Sequence, residues 1–293
     1  MFSNYDFLED AIDLHIHVGP DYVKRYGDSI QIAQEASNKK MRAVIIKTHL
    51  CSTVAAAYAA TRVVDGIDVF GGIALNEPNG GFNLRNVYAS ILSGAKMIWL
   101  PTVDAEYAID KANKGHWIRH YVNSSTFGYP RQGLSILNSD GVLIDEVNEI
   151  LRLCKENNVI LGTGHISPNE ALCLSEESKR ISFRKLEVTH PNAWLEDFSI
   201  DVLKKLTQNG ATITLSYGVC SPHNGGQNPK EIVSVINQIG PQHCALITDY
   251  GQTTNPSPVE GFRVFCQMLT NLGVNSDDMR LMSKINPGKL LYE

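Results

Sequence analysis

The 293 residues carry 26 Lys and Arg against 31 Asp and Glu, a formal charge of −5 at neutral pH, and 43% of them are hydrophobic. A chain of this kind can bury a large core, and with no concentrated run of Lys or Arg it excludes a dedicated nucleic-acid surface. No apolar run approaches the ~18 residues of a membrane span and the first ten residues lack a basic-then-apolar leader, so a cytoplasmic protein without a membrane partner is expected.

The first apolar run, 11–18, contains His15-Ile16-His17 and reads as a β-strand. Further strands are expected at 42–48, 68–75, 95–101, 159–164, 186–189, 211–217 and 244–249. Amphipathic helical patterns lie between them at 30–38, 53–64, 84–92, 143–156, 168–177, 200–208 and 230–239. Gly66, Gly94, Asn158 and Gly210 each precede a strand, where left-handed helix caps belong. Strands this apolar, each followed by a helix, pair in parallel and are covered on both faces. Eight such units over about 250 residues, with no Pro/Gly/Ser-rich linker, predict one domain spanning 1–293. The expected α/β architecture is a single (β/α)8 TIM barrel with an inserted long loop after the fourth strand. About forty residues precede Leu143 there, a length that suits a lid. An open doubly wound sheet would carry a Gly-rich phosphate loop after its first strand, and Gly19-Pro20-Asp21 stands there instead.

Six cysteines, Cys51, Cys154, Cys173, Cys220, Cys244 and Cys266, form no CxxC pair and read as buried free thiols in a reducing compartment.

Successive strand residues point to opposite faces, so His15 and His17 share one face and can converge on a single cation. His165 ends the fifth strand, His190 the sixth and Asp249 the eighth. Each alone could be an ordinary strand-end polar residue. In a barrel, however, the C-terminal strand ends meet over one mouth, which makes the five neighbours. Such an N/O set suits a divalent transition metal, with Zn²⁺ first among Zn²⁺, Mn²⁺, Fe²⁺ and Ni²⁺, in one or two copies per chain.

This arrangement resembles the amidohydrolase superfamily of metal-dependent barrel enzymes, from His15 to the C-terminus. That family places an HxH pair on its first strand, histidines after the fifth and sixth, and a metal-bound aspartate after the eighth. His15, His17, His165, His190 and Asp249 stand at those positions, and the closing Asn286-Pro287-Gly288-Lys289-Leu290-Leu291 is similar to the family's usual ending. Many members also carry a carboxylated lysine at the end of the fourth strand, bridging two metals. Here 97–103 reads Met-Ile-Trp-Leu-Pro-Thr-Val, and Lys96 lies at the other end of the strand. The resemblance is to an uncharacterised branch, which brings no substrate with it.

On the second strand Lys47 and His49 share a parity and can both face the mouth. A lysine inside an apolar strand must be neutral, paired or modified. Lys47 therefore has three readings: a carboxylated bridge between two metals, a cation that binds substrate or orients a ligand, and an ion-pair member. His49 reads equally as a metal ligand or as a residue behind one, and Glu77 is a lower-ranked bridging carboxylate.

The expected chemistry is that of a metal-dependent hydrolase with a metal-activated water and Asp249 as general base, His190 steering the carbonyl or the water. Its substrate would be an amide, cyclic amide, lactone or ester of a small molecule. A metal-dependent decarboxylase of the same superfamily is the runner-up, a phosphoesterase barrel ranks third, and a barrel that has lost catalysis would be a binding protein. Substrate contacts are expected from His116, Arg119, His120, Tyr121, Tyr129 and Arg131 in the long loop. Asp104, the end of strand seven at Ser216-Tyr217-Gly218 and the turn from His223 to Gly226 are further candidates. A homo-oligomer through outer helices is allowed.

Overall fold

Nine short strands alternate with helices along the chain, which the computed structural model describes over residues 6–124 and 132–293. The strands are β1 (Ile12–His17), β2 (Ala43–Lys47), β3 (Asp68–Phe70), β4 (Gly72–Ala74), β5 (Met97–Trp99), β6 (Ile160–Gly162), β7 (Leu186–Val188), β8 (Thr212–Ser216) and β9 (Cys244–Ile247). The first helices are α1 (Ser29–Asn38), α2 (Val54–Val63), α3 (Leu84–Leu92), α4 (Glu106–Asn113), α5 (Arg119–Ser124) and α6 (Asp145–Glu156). They are followed by α7 (Pro168–Arg180), α8 (Ile200–Gln208), α9 (Pro229–Ile239), α10 (Pro258–Asn271), α11 (Ser276–Arg280) and α12 (Asn286–Tyr292). The class is α/β, and every pair of named strands is parallel: β1-β2-β3 form one sheet and β4 through β9, in chain order, another.

The helices bury the stripes that their periodicity implies, as in α6, where Val147, Ile150, Leu151 and Cys154 face inward. Gly66, Gly94, Asn158 and Gly210 all adopt positive φ at the turns into strands. The strand expected over 68–75 is broken at Gly71 into β3 and β4. A Cβ at Gly71 would lie 2.6 Å from the backbone of Thr53 and Val54, so the start of α2 presses on the strand where only glycine fits. The forty-residue stretch after β5 carries α4 and α5 where a loop was expected, and 125–131 lie outside the described residues.

The chain's first and last strands meet. Beyond β9 the Asp249 N–H donates to the His15 carbonyl at 3.0 Å, the His17 N–H donates to the Tyr250 carbonyl at 2.7 Å, and Ile16 bridges Tyr250 in parallel. Alternation splits the buried side chains into two layers. Val44, Ile46, Ile98, Leu161, Ile213 and Leu246 join the layer packed by helices. Ile12, Leu14, Ala43, Ile45, Ala74, Met97, Trp99, Ile160 and Ile247 form a second cluster between the strands, closed at one end by Leu290 and Leu291 of α12.

On β1 the alternation is interrupted. The register against β2 slips between Asp13 and Ile16, and Ile16 joins the helix-side layer although Leu14 faces the strand-enclosed one. A bulge of this kind re-aims the residues after it, here His15 and His17. The cysteines are all free, with Cys154, Cys244 and Cys266 buried, but Cys51 is exposed because it sits in the turn after β2. No helix among the described residues is long and apolar enough to cross a membrane.

Gly251, at φ +135°, is where the two ends of the strand order touch, and a Cβ there would stand 2.0 Å from the His17 carbonyl oxygen. Gly251→Ala is expected to lower stability in denaturant titration by at least about 2 kcal/mol, through backbone strain plus steric overlap. Gly94→Ala, at φ +104° with nothing within 4 Å of the new Cβ, serves as the control and should lose about 1 kcal/mol.

Candidate metal centre

The C-terminal strand ends gather seven polar side chains. His15 and His17 come from β1, Lys47 from the end of β2, His49 two residues later, and His165, His190 and Asp249 from just beyond β6, β7 and β9. All are buried. His190 and Asp249 hold left-handed backbone, φ +33° and +55°, a conformation that costs about 1 to 3 kcal/mol for such residues and that concentrates at functional sites.

Asp249 is the hub. Its Oδ1 lies 3.1 Å from His17 Nε2 and 3.3 Å from His15 Nε2, while its Oδ2 is 3.9 Å from His190 Nε2. The His165 and His190 rings lie 5.0 Å apart, and His15 and His190 5.7 Å. Lys47 Nζ is 3.1 Å from His15 Nε2 and 5.0 Å from the centre of the Trp99 ring. His49 is turned by Thr102, whose hydroxyl is 3.0 Å from Nδ1, and its ring stacks on His17 at 4.8 Å. His15, His17 and Asp249 bring one ligand atom each to within 4.8 Å of one another, and so do His17, Asp21 and His49. His165 and His190 flank the first group.

Burial dominates the electrostatics. It pushes His15, His17, His49 and His165 well below the ordinary imidazole range, with Lys47 adding to the effect at all four and Arg25 at His17 and His49. His190 falls to about 3 by burial and then by Lys47. Burial raises Asp249 to about 7 against the pull of Lys47 and Arg25, and lowers Lys47 to about 8 against the pull of Asp249 and Glu187. The imidazoles are therefore neutral, the form that ligates metals.

The Nδ1 atoms of His15, His17, His165 and His190 are buried without a hydrogen-bond partner, which is unusual for buried polar atoms. Donor separations of 3.1 and 3.3 Å are also what ligands share when each bonds one cation at about 2.0 to 2.2 Å. The side chains thus fit a divalent ion. In the second group Asp21 already takes Nε and Nη2 of Arg25 on Oδ2, at 3.0 and 2.6 Å, so its charge is answered.

A cavity of ≈ 30 Å³ adjoins the cluster. It is lined by His17, Arg25, His49, His165, His190 and Asp249 together with Trp117, Ile118 and Tyr121. Tyr121 is fixed there by donating its hydroxyl to Asn224 Oδ1 at 2.9 Å. A larger groove of ≈ 490 Å³ near Lys185, Thr212 and Lys289 lies at the other strand ends and includes none of the seven.

Other candidates fall elsewhere. Glu77 is exposed on the turn after β4, where its N–H donates to Asp104 Oδ2 at 2.8 Å and its carbonyl accepts the Gly80 N–H at 2.8 Å. It therefore bridges nothing at the cluster. Arg119 and His120 are exposed, His116 stacks on Trp194, and Tyr217 stacks on Tyr250 and Phe265. His223 is exposed, while its neighbour Asn224 lines the cavity. Tyr129 and Arg131 lie outside the described residues.

Sequence reasoning passed over Asp13, Asp21, Arg25 and Glu187. Asp13 accepts the His15 N–H at 3.1 Å, the Thr248 N–H at 3.2 Å and the Thr248 hydroxyl at 2.5 Å, tying β1 to the end of β9. Glu187 accepts the hydroxyls of Thr189 and Thr214 beneath His190. A carboxylate inside IDLHIH was a visible signal, because a buried charge needs partners.

The chain belongs to a family that known sequences define without a role: the model described as Family of unknown function (DUF6282) matches residues 10–214. No curated protein matches it by sequence. Solved structures do share its fold. An amidohydrolase from Pseudomonas aeruginosa aligns at TM-score 0.65 and 11% identity over 98% of this chain and 96% of its own. The organophosphorus hydrolase from Deinococcus radiodurans aligns at 0.62 and 11%, over 96% and 91%. The 2,6-dihydroxybenzoate decarboxylase from Rhizobium aligns at 0.56 and 10%, over 97% and 98%. The structural neighbours are thus amidohydrolase-superfamily proteins, as the motif resemblance implied, and at these identities what is shared is the fold.

Asp13→Ala removes the acceptor of three buried donors and is expected to cost about 2 to 4 kcal/mol in denaturant titration. Asp13→Asn keeps the shape and most of the acceptors and should cost less than half as much; equal losses would show that Asp13 does not tie the strands together.

Proposed function

We propose that this member of a family of unknown function folds as one domain over 1–293 into a closed (β/α)8 barrel and is a divalent-metal-dependent hydrolase of small molecules. The hydrogen bonds between β1 and the residues after β9, and the single residue separating β3 from β4, support closure of the two sheets. The observation that carries the function is the division of Asp249, one oxygen toward His15 and His17 and the other toward His190.

In this reading His15, His17 and Asp249 hold one ion, Zn²⁺ first among the candidates, with His165 completing the set. A divalent ion bound there lowers the pKa of an adjacent water toward about 7 and polarises the carbonyl under attack. Asp249 Oδ2 receives the proton of the attacking water and returns it to the leaving amine or alcohol. His190, neutral and 3.9 Å from that oxygen, donates a hydrogen bond to the carbonyl oxygen as negative charge grows there. Lys47 Nζ stands 3.1 Å from His15 Nε2, the atom that would face the ion, so with the ion bound Lys47 serves as a cation toward the substrate. His49 supports His17 by stacking, and the wall formed by Trp117, Ile118 and Tyr121 excludes water as a lid. The substrate is an amide, cyclic amide, lactone or ester.

A decarboxylase is the second reading. Leu100 and Pro101 follow β5, so no lysine stands there to bridge a second ion, and one neighbour of the same fold is a decarboxylase.

Elemental analysis of the purified chain tests the proposal. About one equivalent of transition metal is expected in the wild type and little in His17→Ala or Asp249→Ala, with turnover of amides, lactones or esters lost in both. Wild-type protein that stays metal-free after reconstitution overturns it, and turnover of aromatic carboxylates alone selects the second reading.

Lys47→Met is expected to lower activity about 100-fold, as loss of a donor to developing charge does, while the metal content stays at about one equivalent. Bicarbonate added during reconstitution should leave the metal content at one equivalent. A rise to two would identify Lys47 as a carboxylated bridge instead.

A further inference from the structure

Arg25 is a buried cation in the loop between β1 and α1, with its side chain 1% exposed, and it lines the cavity beside Asp249 and His190. Its backbone is pinned opposite Asp249: Arg25 pairs with Gln252 in an antiparallel bridge and the Tyr26 N–H donates to the Gly251 carbonyl at 2.7 Å. Asp21 Oδ2 occupies the Nε/Nη2 side of the guanidinium, at 3.0 and 2.6 Å. Nη1 is buried and has no hydrogen-bond partner.

A guanidinium offers a second fork, formed by Nη1 and the remaining proton of Nη2, and this fork matches a planar carboxylate. Asp21 cannot fill it, because Oδ2 is engaged on the first fork and Oδ1 accepts the Tyr22 and His49 N–H groups at 2.9 and 3.3 Å. A buried donor left open beside a reaction centre is expensive unless a ligand meets it. The charges agree. Arg25 answers Asp21 and Lys47 answers Asp249, the imidazoles are neutral, and a held divalent ion leaves surplus positive charge that an anionic substrate would offset. The facing wall of Val103, Trp117 and Ile118 is largely apolar, which suits the body of an organic acid rather than an inorganic anion.

We infer that Arg25 determines specificity: its open fork binds a carboxylate of the substrate, so the protein acts on small organic acids whose carboxylate lies next to the bond that is broken. The inference deepens the hydrolase reading and rests on it for the word substrate. The carboxylate site itself stands on Arg25.

Calorimetric titration of the full chain, zinc-loaded and chelator-treated in parallel, tests it with acetate, its neutral isostere acetamide, and inorganic phosphate as probes. Wild-type protein is expected to prefer acetate over acetamide by about tenfold or more in both metal states, the difference one charge-assisted hydrogen bond supplies. Arg25→Met should reduce that preference to within about twofold and Arg25→Lys, which keeps the charge but not the fork, to an intermediate value.

Arg25→Met leaves Asp21 buried and unpaired, so the paired variant Asp21→Asn with Arg25→Met provides a second folded background. No preference in chelator-treated wild type, a preference that survives loss of Arg25, or tighter binding of phosphate than acetate would each overturn the inference. An Arg25-dependent preference in a protein that never takes up metal would leave the carboxylate site standing and sink the hydrolase reading alone.

Discussion

The contact on which the rest depends joins the end of β1 to the end of β9. Asp249 donates its N–H to His15 and presents Oδ1 to the imidazoles of His15 and His17, and Asp13 reaches back to Thr248, 235 residues away in sequence. Closing so long a stretch of chain costs entropy that grows only slowly with length, so a few buried hydrogen bonds over an apolar interior can hold it. The interior supplies that support: Ile12, Leu14, Ile45, Trp99 and Ile247 lie directly beneath the polar layer. The site is therefore the polar cap of the core.

The cap gathers five imidazoles, Lys47 and Asp249 in a region cut off from water, and two terms compete there. Burial drives the imidazoles neutral and raises the carboxylates, while the Lys47 and Asp249 charges stabilise each other. Desolvation wins at the histidines, and the Nδ1 atoms of His15, His17, His165 and His190 also lack partners. A neutral imidazole is the form that can ligate a metal, and the left-handed backbone at His190 and Asp249 adds strain at the same place. Local rules are broken together at the strand ends, where function is expected to offset the cost.

Much of this was legible in the sequence. The repeating strand and helix pattern, the left-handed turns at Gly66, Gly94, Asn158 and Gly210, and the placing of His15, His17, His165, His190 and Asp249 at strand ends all follow from local chemistry. Alternation shows that His15 and His17 share a face, but the slip between Asp13 and Ile16 decides which face, and a bulge leaves no mark in an apolar run. The break at Gly71 depends on α2 pressing from outside the strand. Arg25 was illegible for a different reason. A charge in a polar loop normally faces water, and only the i,i+4 spacing to Asp21 hinted that the two are buried as a pair.

A fold shared at 10 to 11% identity with a hydrolase and with a decarboxylase narrows the chemistry less than the side chains around the cap do. The donors sit at the ends of strands fixed by the core. The opposing wall comes from the segment between β5 and α6, held by the Tyr121 hydrogen bond to Asn224 and by Trp117 stacked on Trp194 at 6.2 Å. The start of that segment is tied to the donors, through Thr102 on His49 and the Pro101 carbonyl on the His165 N–H at 2.9 Å. With ≈ 30 Å³ beside the donors the cavity has room for one or two waters, and Trp117 and Tyr121 are among the residues that line it. The cavity thus joins side chains from outside the β-sheet, Trp117 and Tyr121, to side chains at the strand ends, His17, His165, His190 and Asp249.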